Sequence, residues 1–234
     1  MAVVPRGQDT DPRWRKLVKL AVHEFRNPLG VVVGYLRMLD RENVGPLTPQ
    51  QRRFLEEVEK SCSRMSALLK EVHDVSNLES GTAVFNRSTI DLPALLAEVI
   101  ANLPPAPYQK VTVELGGERA LRVYGDSNRL KSAFSSIITA LRRELVETDR
   151  LAVVVRAQPV QDGIAIRITV GDPARIEQLQ TMARTELSAF DEWERGSLGL
   201  SLPAASRIIE AHGGWLLAPP DDAKGAAVIC IPGV

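Results

Sequence analysis

A histidine, an acid and an amide stand close together in His23-Glu24-Phe25-Arg26-Asn27-Pro28-Leu29. A neutral imidazole is a competent phosphoryl acceptor near its ordinary pKa of about 6.5. Glu24 is placed to accept from one ring nitrogen of His23, which fixes the tautomer and leaves the other nitrogen as nucleophile. Asn27 falls at i+4, one turn along and on the same face of a helix. An amide there can position water for in-line attack on a phosphoryl group without changing its own charge. Pro28 removes a backbone hydrogen bond and kinks a helix, at roughly 3 kcal/mol that packing must offset. The plain alternative is an exposed histidine on an ordinary helix with a tolerated proline. The complete run His-Glu-x-Arg-Asn-Pro-Leu weighs against that. His73, beside Asp74, reads as a surface residue, and His212, before Gly213-Gly214, as structural.

The elements that position His23 are legible around it. Residues 1–11 are polar and read as a frayed tail, and Asp11-Pro12 reads as an N-cap with proline in the first turn. Trp14, Leu17, Ala21, Phe25, Val32, Tyr35, Met38 and Leu39 recur at helical spacing, predicting one long helix to about Arg41. Asn43-Val44-Gly45-Pro46 is a turn and Thr48-Pro49 caps a second helix, which ends at Glu79-Ser80-Gly81. Its Phe54, Val58, Met65, Leu68, Val72 and Val75 form a stripe, with Leu55, Cys62 and Leu69 beside it. One hairpin cannot bury so much apolar surface, which predicts a homodimer closing a four-helix bundle.

Beyond Gly81 the period changes. Strands are predicted at Val84–Arg87, Val111–Leu115, Leu121–Tyr124, Leu151–Ala157, Ile164–Val170, Trp215–Leu217 and Ala227–Ile231. Helices are predicted from Asp91 to Leu103, from Asp126 to about Val146, and over Leu198–Ala211. The fold class is α+β: a helical hairpin, then an α/β sandwich with helices on one face of its sheet. The domains are residues 12–80 and 82–234.

Composition sets limits on function. The chain has 234 residues, enough for one or two domains, and 29 basic against 29 acidic side chains. That neutrality argues against nucleic acid as a partner. No apolar run approaches the ~18 residues of a membrane span, and Met1–Pro5 is too short for a signal peptide core. Cys62 and Cys230 lie far apart with no metal-ligand spacing, so no metal site is expected and a cytoplasmic location is.

The His23–Leu29 run resembles the H-box of sensor histidine kinases, and the resemblance covers nearly the whole chain. Residues 12–80 look like the dimerisation and histidine-phosphotransfer hairpin. Residues 82–234 look like the GHKL-type ATP-binding domain that follows it, with Glu210-Ala-His-Gly-Gly214 and Gly225…Ile231-Pro232 matching its closing pattern. The resemblance implies a response-regulator receiver domain as partner and His23, Glu24 and Asn27 as the catalytic residues.

The same resemblance shows where the pattern breaks. Aligned on Asp126, Arg129 and Leu130, the two asparagines the family uses for Mg²⁺ and phosphate become Ser136 and Ala140. The Asp-x-Gly-x-Gly box after the strand becomes Gly171-Asp172-Pro173-Ala174-Arg175. In one register Gly171 replaces the acid, with Pro173 and Arg175 for the glycines. Shifted by one, Asp172 is the acid and Ala174 and Ile176 replace the glycines. Phe190-Asp-Glu-Trp193 resembles the aromatic box, but Gly196-Ser197-Leu198-Gly199 follows at once, leaving no lid. Gly171, Asp172, Ser136, Ala140, Gly196 and Gly199 therefore read as a vestigial ATP site, as in histidine phosphotransferase pseudokinases, and no cofactor is expected.

Three functions are compatible with these residues. The first is phosphoryl transfer through His23 to or from a response-regulator aspartate, or hydrolysis of that phosphoaspartate. The second is an ATP- and Mg²⁺-dependent autokinase with divergent boxes. The third is a non-enzymatic dimeric docking or inhibitor module. The stimulus, the cognate regulator and the direction of phosphoryl flow have no signature in the sequence.

Overall fold

The structure is a computed structural model and describes residues 12–41, 45–104, 111–145, 148–161, 163–190, 201–220 and 225–234, with only the backbone at 12–16 and 19. The predicted tail at 1–11, Asn43 and Val44 of the turn, and the side chain of Trp14 lie outside the described residues. Contacts divide the chain into two units, Met1–Ala83 and Val84–Val234.

In the first unit, helical spacing of apolar residues gives α1 (Pro12–Asp40) and α2 (Pro49–Glu79). α1 runs through Pro28 without a break. α2 starts in a capping box: Thr48 Oγ1 accepts from Gln51 N at 3.3 Å, and Gln51 Oε1 accepts from Thr48 N at 2.9 Å. Its end is a Schellman turn. Gly81, at φ +65°, donates to the Leu78 carbonyl and Thr82 N to that of Asn77. The hairpin closes over Leu36, Leu55 and Cys62, with Leu29, Val33, Leu39 and Leu47 packed around them. A second apolar face stays open on both helices: Phe25, Val32, Tyr35 and Met38 on α1, and Phe54, Val58, Met65 and Leu68 on α2, are each at least 44% exposed.

Among the described residues, the second unit is built on a six-stranded sheet in the order β2-β4-β5-β8-β7-β6. Its strands are β2 (Thr112–Gly117), β4 (Arg150–Val160), β5 (Gly163–Gly171), β6 (Ser188–Ala189), β7 (Trp215–Ala218) and β8 (Ala227–Pro232). β2 runs parallel to β4, and the other pairings are antiparallel. A separate two-stranded ribbon joins β1 (Arg87–Asp91) to β3 (Arg122–Asp126). The helices are α3 (Leu92–Ala101), α4 (Ser127–Glu144), a short α5 (Ile176–Thr181) and α6 (Ser201–Ala211). α4 packs against both α3 and α6 and touches β5. Leu130, Phe134, Ile137, Ile138 and Leu141 of α4 meet no solvent, like Leu92, Leu96, Leu151, Val153, Ile168 and Val170. That apolar layer between helices and sheet is the core.

Two expectations are corrected. The strand expected at Val84–Arg87 begins only at Arg87. Upstream, Phe85 packs edge-on against His212 and the Asn86 amide donates to Asp126, so these residues are held by side chains rather than by a ladder. The sheet is not covered on one face alone. After β5 the chain forms α5 and a 3₁₀ turn at Arg184–Glu186 before reaching β6 at the far edge beyond β7. This strap crosses the opposite face: Arg167 Nη2 donates to the Leu179 carbonyl, and Arg184 lies 5.3 Å over the Trp215 ring.

Gly117 takes φ +102° where β2 meets β4, and a Cβ there would lie 2.1 Å from the Val155 carbonyl oxygen. Gly117→Ala is expected to destabilise the second unit by about 2 kcal/mol or more, combining left-handed strain with a backbone collision. Chemical denaturation measures it.

Candidate functional site

α1 offers His23 to solvent by its register in the hairpin. Val22, immediately before it, is 4% exposed, while His23 and the residues through Pro28 all lie on the surface. The His23 and Glu24 side chains are 68% and 67% exposed, and His23 Nδ1 stands 3.6 Å from Glu24 Oε1. Glu24 thus occupies the Nδ1 side of the ring, and Nε2 points away from that carboxylate. Asn27 is exposed one turn along. Because Pro28 has no N–H, the Glu24 carbonyl receives no helical bond from it, which adds an acceptor beside His23. His23 and Glu24 thus lie beside each other, with Asn27 on the surface one helical turn further on.

α4 carries the next pair. Its start is fixed by Asp126, which accepts from the Arg129 amide at 3.1 Å and the Asn86 amide at 2.9 Å. Burial works to raise the Asp126 carboxyl, and those amides outweigh it, holding the pKa below the usual value. Ser136 is half-buried one turn before Ala140, which is 1% exposed and carries no donor or acceptor atom. Arg142, 8% exposed, donates through Nη2 to the Pro104 carbonyl.

At the end of β5, strand alternation separates the two registers left open by the sequence. Ile166, Ile168 and Val170 form one face, and Arg167, Thr169 and Gly171 the other, which α5 covers. Asp172 is in phase with the apolar residues. Gly171 is buried on the strap side, where an added Cβ would lie 2.9 Å from Leu179 Cδ1. The Asp172 carboxylate accepts from the Ala174 amide at 2.8 Å, closing a turn on itself. The period-2 pattern of β5 was the signal that could have chosen between the registers. α5 had none, being six residues long. Gly196 and Gly199, with Trp193, lie outside the described residues, whereas Phe190 is buried.

His212 is structural in a specific way. It is 5% exposed; Nδ1 meets the Ile208 carbonyl at 2.7 Å, and Nε2 accepts from the Asp126 amide at 3.0 Å. Both nitrogens are used by a neutral ring, so this histidine ties the end of α6 to the start of α4. Its ring also receives Phe85, over which Arg87 and Arg129 lie at 5.2 and 4.9 Å.

Residues 13–81 match the His Kinase A (phospho-acceptor) domain. The sensor histidine kinase GacS of Pseudomonas protegens is 27% identical over 202 residues, 82% of this chain and 22% of that protein. The circadian input-output histidine kinase CikA of Thermosynechococcus vestitus is 27% identical over 214 residues, 87% and 29% respectively. The chain therefore spans less than a third of the length of these relatives. Among solved structures, full-length ShkA in complex with AMPPNP superposes with TM-score 0.67 at 23% identity, over 94% of this chain and 46% of that one. The histidine kinase AdeS of Acinetobacter baumannii does so with TM-score 0.56 at 20% identity, over 89% and 96%. These structures share the fold. No described helix is long and apolar enough to cross a membrane.

Burial pushes the His212 pKa below its ordinary 6.5, opposed by the Ile208 carbonyl and reinforced by Arg87 and Arg129. The folded state then binds fewer protons than the unfolded. The stability His212 contributes is complete above about pH 6.5 and is lost as pH falls toward the folded-state value, by at most ~1.4 kcal/mol per pH unit. Denaturation of the second unit between about pH 5 and 7 should show that slope, and His212→Asn should flatten it.

Proposed function

We propose that this chain acts as a histidine kinase family protein of two-component signalling, and that its chemistry is phosphoryl exchange between His23 and the aspartate of a response-regulator receiver domain. The Nε2 lone pair attacks the phosphorus of the regulator's phosphoaspartate, the P–O bond to the carboxylate breaks, and the aspartate leaves as the anion. Glu24, on the Nδ1 side, stabilises the charge the ring acquires as it bonds phosphorus. Run backwards, the same steps phosphorylate the regulator. With water in place of the imidazole, oriented by Asn27, the phosphoryl group is lost to solvent. Any Mg²⁺ this needs is held by the receiver domain. The carrying observation is the exposed His23 with Glu24 on its Nδ1 side.

The residues of α4 and the β5 end do not fit a metal-bound nucleotide. Ala140 offers a buried methyl group where a cation needs an oxygen, and Ser136 offers one hydroxyl. With Asp172 as the acid, Ala174 and Ile176 carry side chains at the two glycine positions, where backbone must approach a nucleotide closely. No step is therefore routed through ATP here. The second reading, an autokinase, is favoured by one observation: an acid, Asp172, directly follows β5, although its carboxylate already holds the Ala174 amide.

The open apolar face of the hairpin supports a homodimer, since residues such as Phe54 (62% exposed) and Tyr35 (65%) gain burial only against another helical surface. Each such side chain contributes roughly 1.5–3 kcal/mol when fully buried. The full chain should sediment as a dimer at micromolar concentration, and Val58→Asp with Phe54→Asp should yield a folded monomer. A wild-type monomer would contradict this.

The phosphoryl reading is tested with a phosphorylated receiver domain and Mg²⁺. His23→Ala should abolish acceptance. Asn27→Ala should leave acceptance intact and slow hydrolysis about 10- to 100-fold, the effect of losing a water-positioning group. Glu24→Gln should lower both in part. In parallel, Mg-ATP titrated by calorimetry should bind no more tightly than about 10 µM, a free energy near −7 kcal/mol. Radiolabel passing from ATP to His23 would establish the autokinase instead, and regulator turnover unaffected by His23→Ala would leave the hairpin a docking surface.

A further inference from the structure

The chain enters the second unit through a clasp that the chemistry of His23 does not use. Upstream, the Ala83 amide donates to the Asn77 carbonyl, so the bonds of the hairpin end where Val84, the first residue of the second unit, begins. Arg129 Nη2 donates to the Val84 carbonyl at 3.3 Å. The Phe85 ring meets His212 edge-on at 5.4 Å, and the Asn86 amide donates to Asp126 Oδ2 at 2.9 Å. Arg87 then opens the ladder of β1 with β3 and sends Nη2 to the Ala211 carbonyl at 2.7 Å. Residues 84–86 are thus held by side chains rather than by a ladder, and they can lift without breaking a strand pair.

One neutral ring sits at the centre of the clasp. His212 Nδ1 gives its proton to the Ile208 carbonyl, and Nε2 accepts from the Asp126 amide at 3.0 Å. A further proton can bind only at Nε2, and the new N–H would face the N–H of Asp126, donor against donor. The ring has no room to turn away, because it packs on Gly125, where an added Cβ would lie 2.6 Å from Cδ2. The charges that act on it are Arg87 and Arg129, which oppose a second cation, and Asp126, which favours one; Phe85 and Gly125 carry none. The Asp126 carboxylate is therefore the acceptor an imidazolium recruits, and it is already bonded to the amides of Asn86 and Arg129. The Arg129 amide is fixed within α4, whereas Asn86 belongs to a surface segment in which Val84 is 79% exposed. The bond to Asn86 is the one that yields.

We propose that His212 is a proton-operated catch on residues 84–86: when the ring takes a proton at Nε2, the Asp126 carboxylate turns from the Asn86 amide to the imidazolium, Phe85 leaves the ring, and the segment comes loose from the second unit. In the clasped state burial and the two arginines hold the ring's pKa below its ordinary 6.5. The released ring is solvated and titrates near that ordinary value. Because the released state binds the proton more tightly, the ratio of released to clasped chain rises as pH falls below about 6.5, by at most ~10-fold per pH unit. Neither the sheet nor α4 has to unfold. The catch makes no use of His23, so its failure leaves the phosphoryl reading untouched.

The test is an NMR titration of the full chain between about pH 7.5 and about pH 5, the range in which a histidine changes charge. The His212 ring nitrogens, the Phe85 ring protons and the Asn86 amide should titrate together, while the amides of Val155 and Ile168 in the sheet stay unchanged. Hydrogen exchange at the Asn86 amide, corrected for its intrinsic rate, should quicken by up to ~10-fold per pH unit over the same range. His212→Gln, whose amide oxygen can accept from the Asp126 amide but takes no proton, should hold the Asn86 and Phe85 signals constant throughout. Arg87→Gln removes one opposing cation and should move the whole titration to higher pH. Should His212→Gln fail to fold, the Arg87 variant decides. A His212 ring that takes its proton while Asn86 and Phe85 do not move overturns the proposal, as does a ring that stays neutral until the entire second unit unfolds.

Discussion

In the α/β unit the position of α4 depends on one neutral imidazole. His212 gives its Nδ1 proton to the end of α6 and takes the Asp126 amide proton on Nε2, while the Asp126 carboxylate gathers the amides of Arg129 and Asn86. Three separate stretches of chain, at residues 85–87, 125–129 and 208–212, are joined through that one ring and that one carboxylate. No room remains around it. A Cβ on Gly125 would lie 2.6 Å from the ring. A buried group with every polar atom satisfied fixes a unique arrangement, where apolar packing alone tolerates slippage. The helices then sit where their apolar faces can close over the sheet.

The same residue type serves the opposite purpose in the hairpin. His23 has one nitrogen near a carboxylate and the other open, on a side chain 68% exposed. His212 has no nitrogen to spare. The difference lies in register rather than in the residue. Val22 turns into the seam and His23 turns out by the helical period, whereas His212 ends a helix just where Gly213 and Gly214 fold the chain back. A nucleophile needs an unsatisfied atom and a structural bridge needs none.

The hairpin was legible because its information is local. Thr48, Pro49 and Gln51 write the cap of α2 into the sequence, and the periodic apolar residues fix the length of both helices. His23 and Asn27 are placed on one face by the same local rule, since i and i+4 suffice, and Glu24 is simply the next residue along the chain. What failed to show depended on distant partners. Val84–Arg87 has strand composition, yet Phe85 and Asn86 are claimed by His212 and Asp126, far along the chain. Arg167 interrupts an apolar strand and suggests a solvent-facing position, but a strap beginning five residues beyond it covers the guanidinium. The strap itself has no periodicity to announce it. The phase of Asp172 was present in the alternation of Ile166, Ile168 and Val170, and it took the covered face of β5 to show which alternation mattered.

On the reading proposed above, a fold has outlasted one of its sites, and α4 shows why that is physically easy. The helix is fixed by Leu130, Phe134, Ile137, Ile138 and Leu141, all inaccessible to solvent, and by the Asp126 cap. Each of these groups is spent on packing or on the cap. Ala140 lies among them at 1% exposure. An amide at that position would need a ligand to satisfy it, at about 1–3 kcal/mol for each polar group left unpaired. Alanine has no such requirement and favours the helix more strongly. Once a chain no longer needs a bound metal and nucleotide, an apolar residue at such a site raises stability. The sequence can lose the ligand while every contact that shapes the domain remains. His23 is under the reverse constraint: exposed on its helix, it adds almost nothing to packing, and on the same reading it is chemistry that retains it.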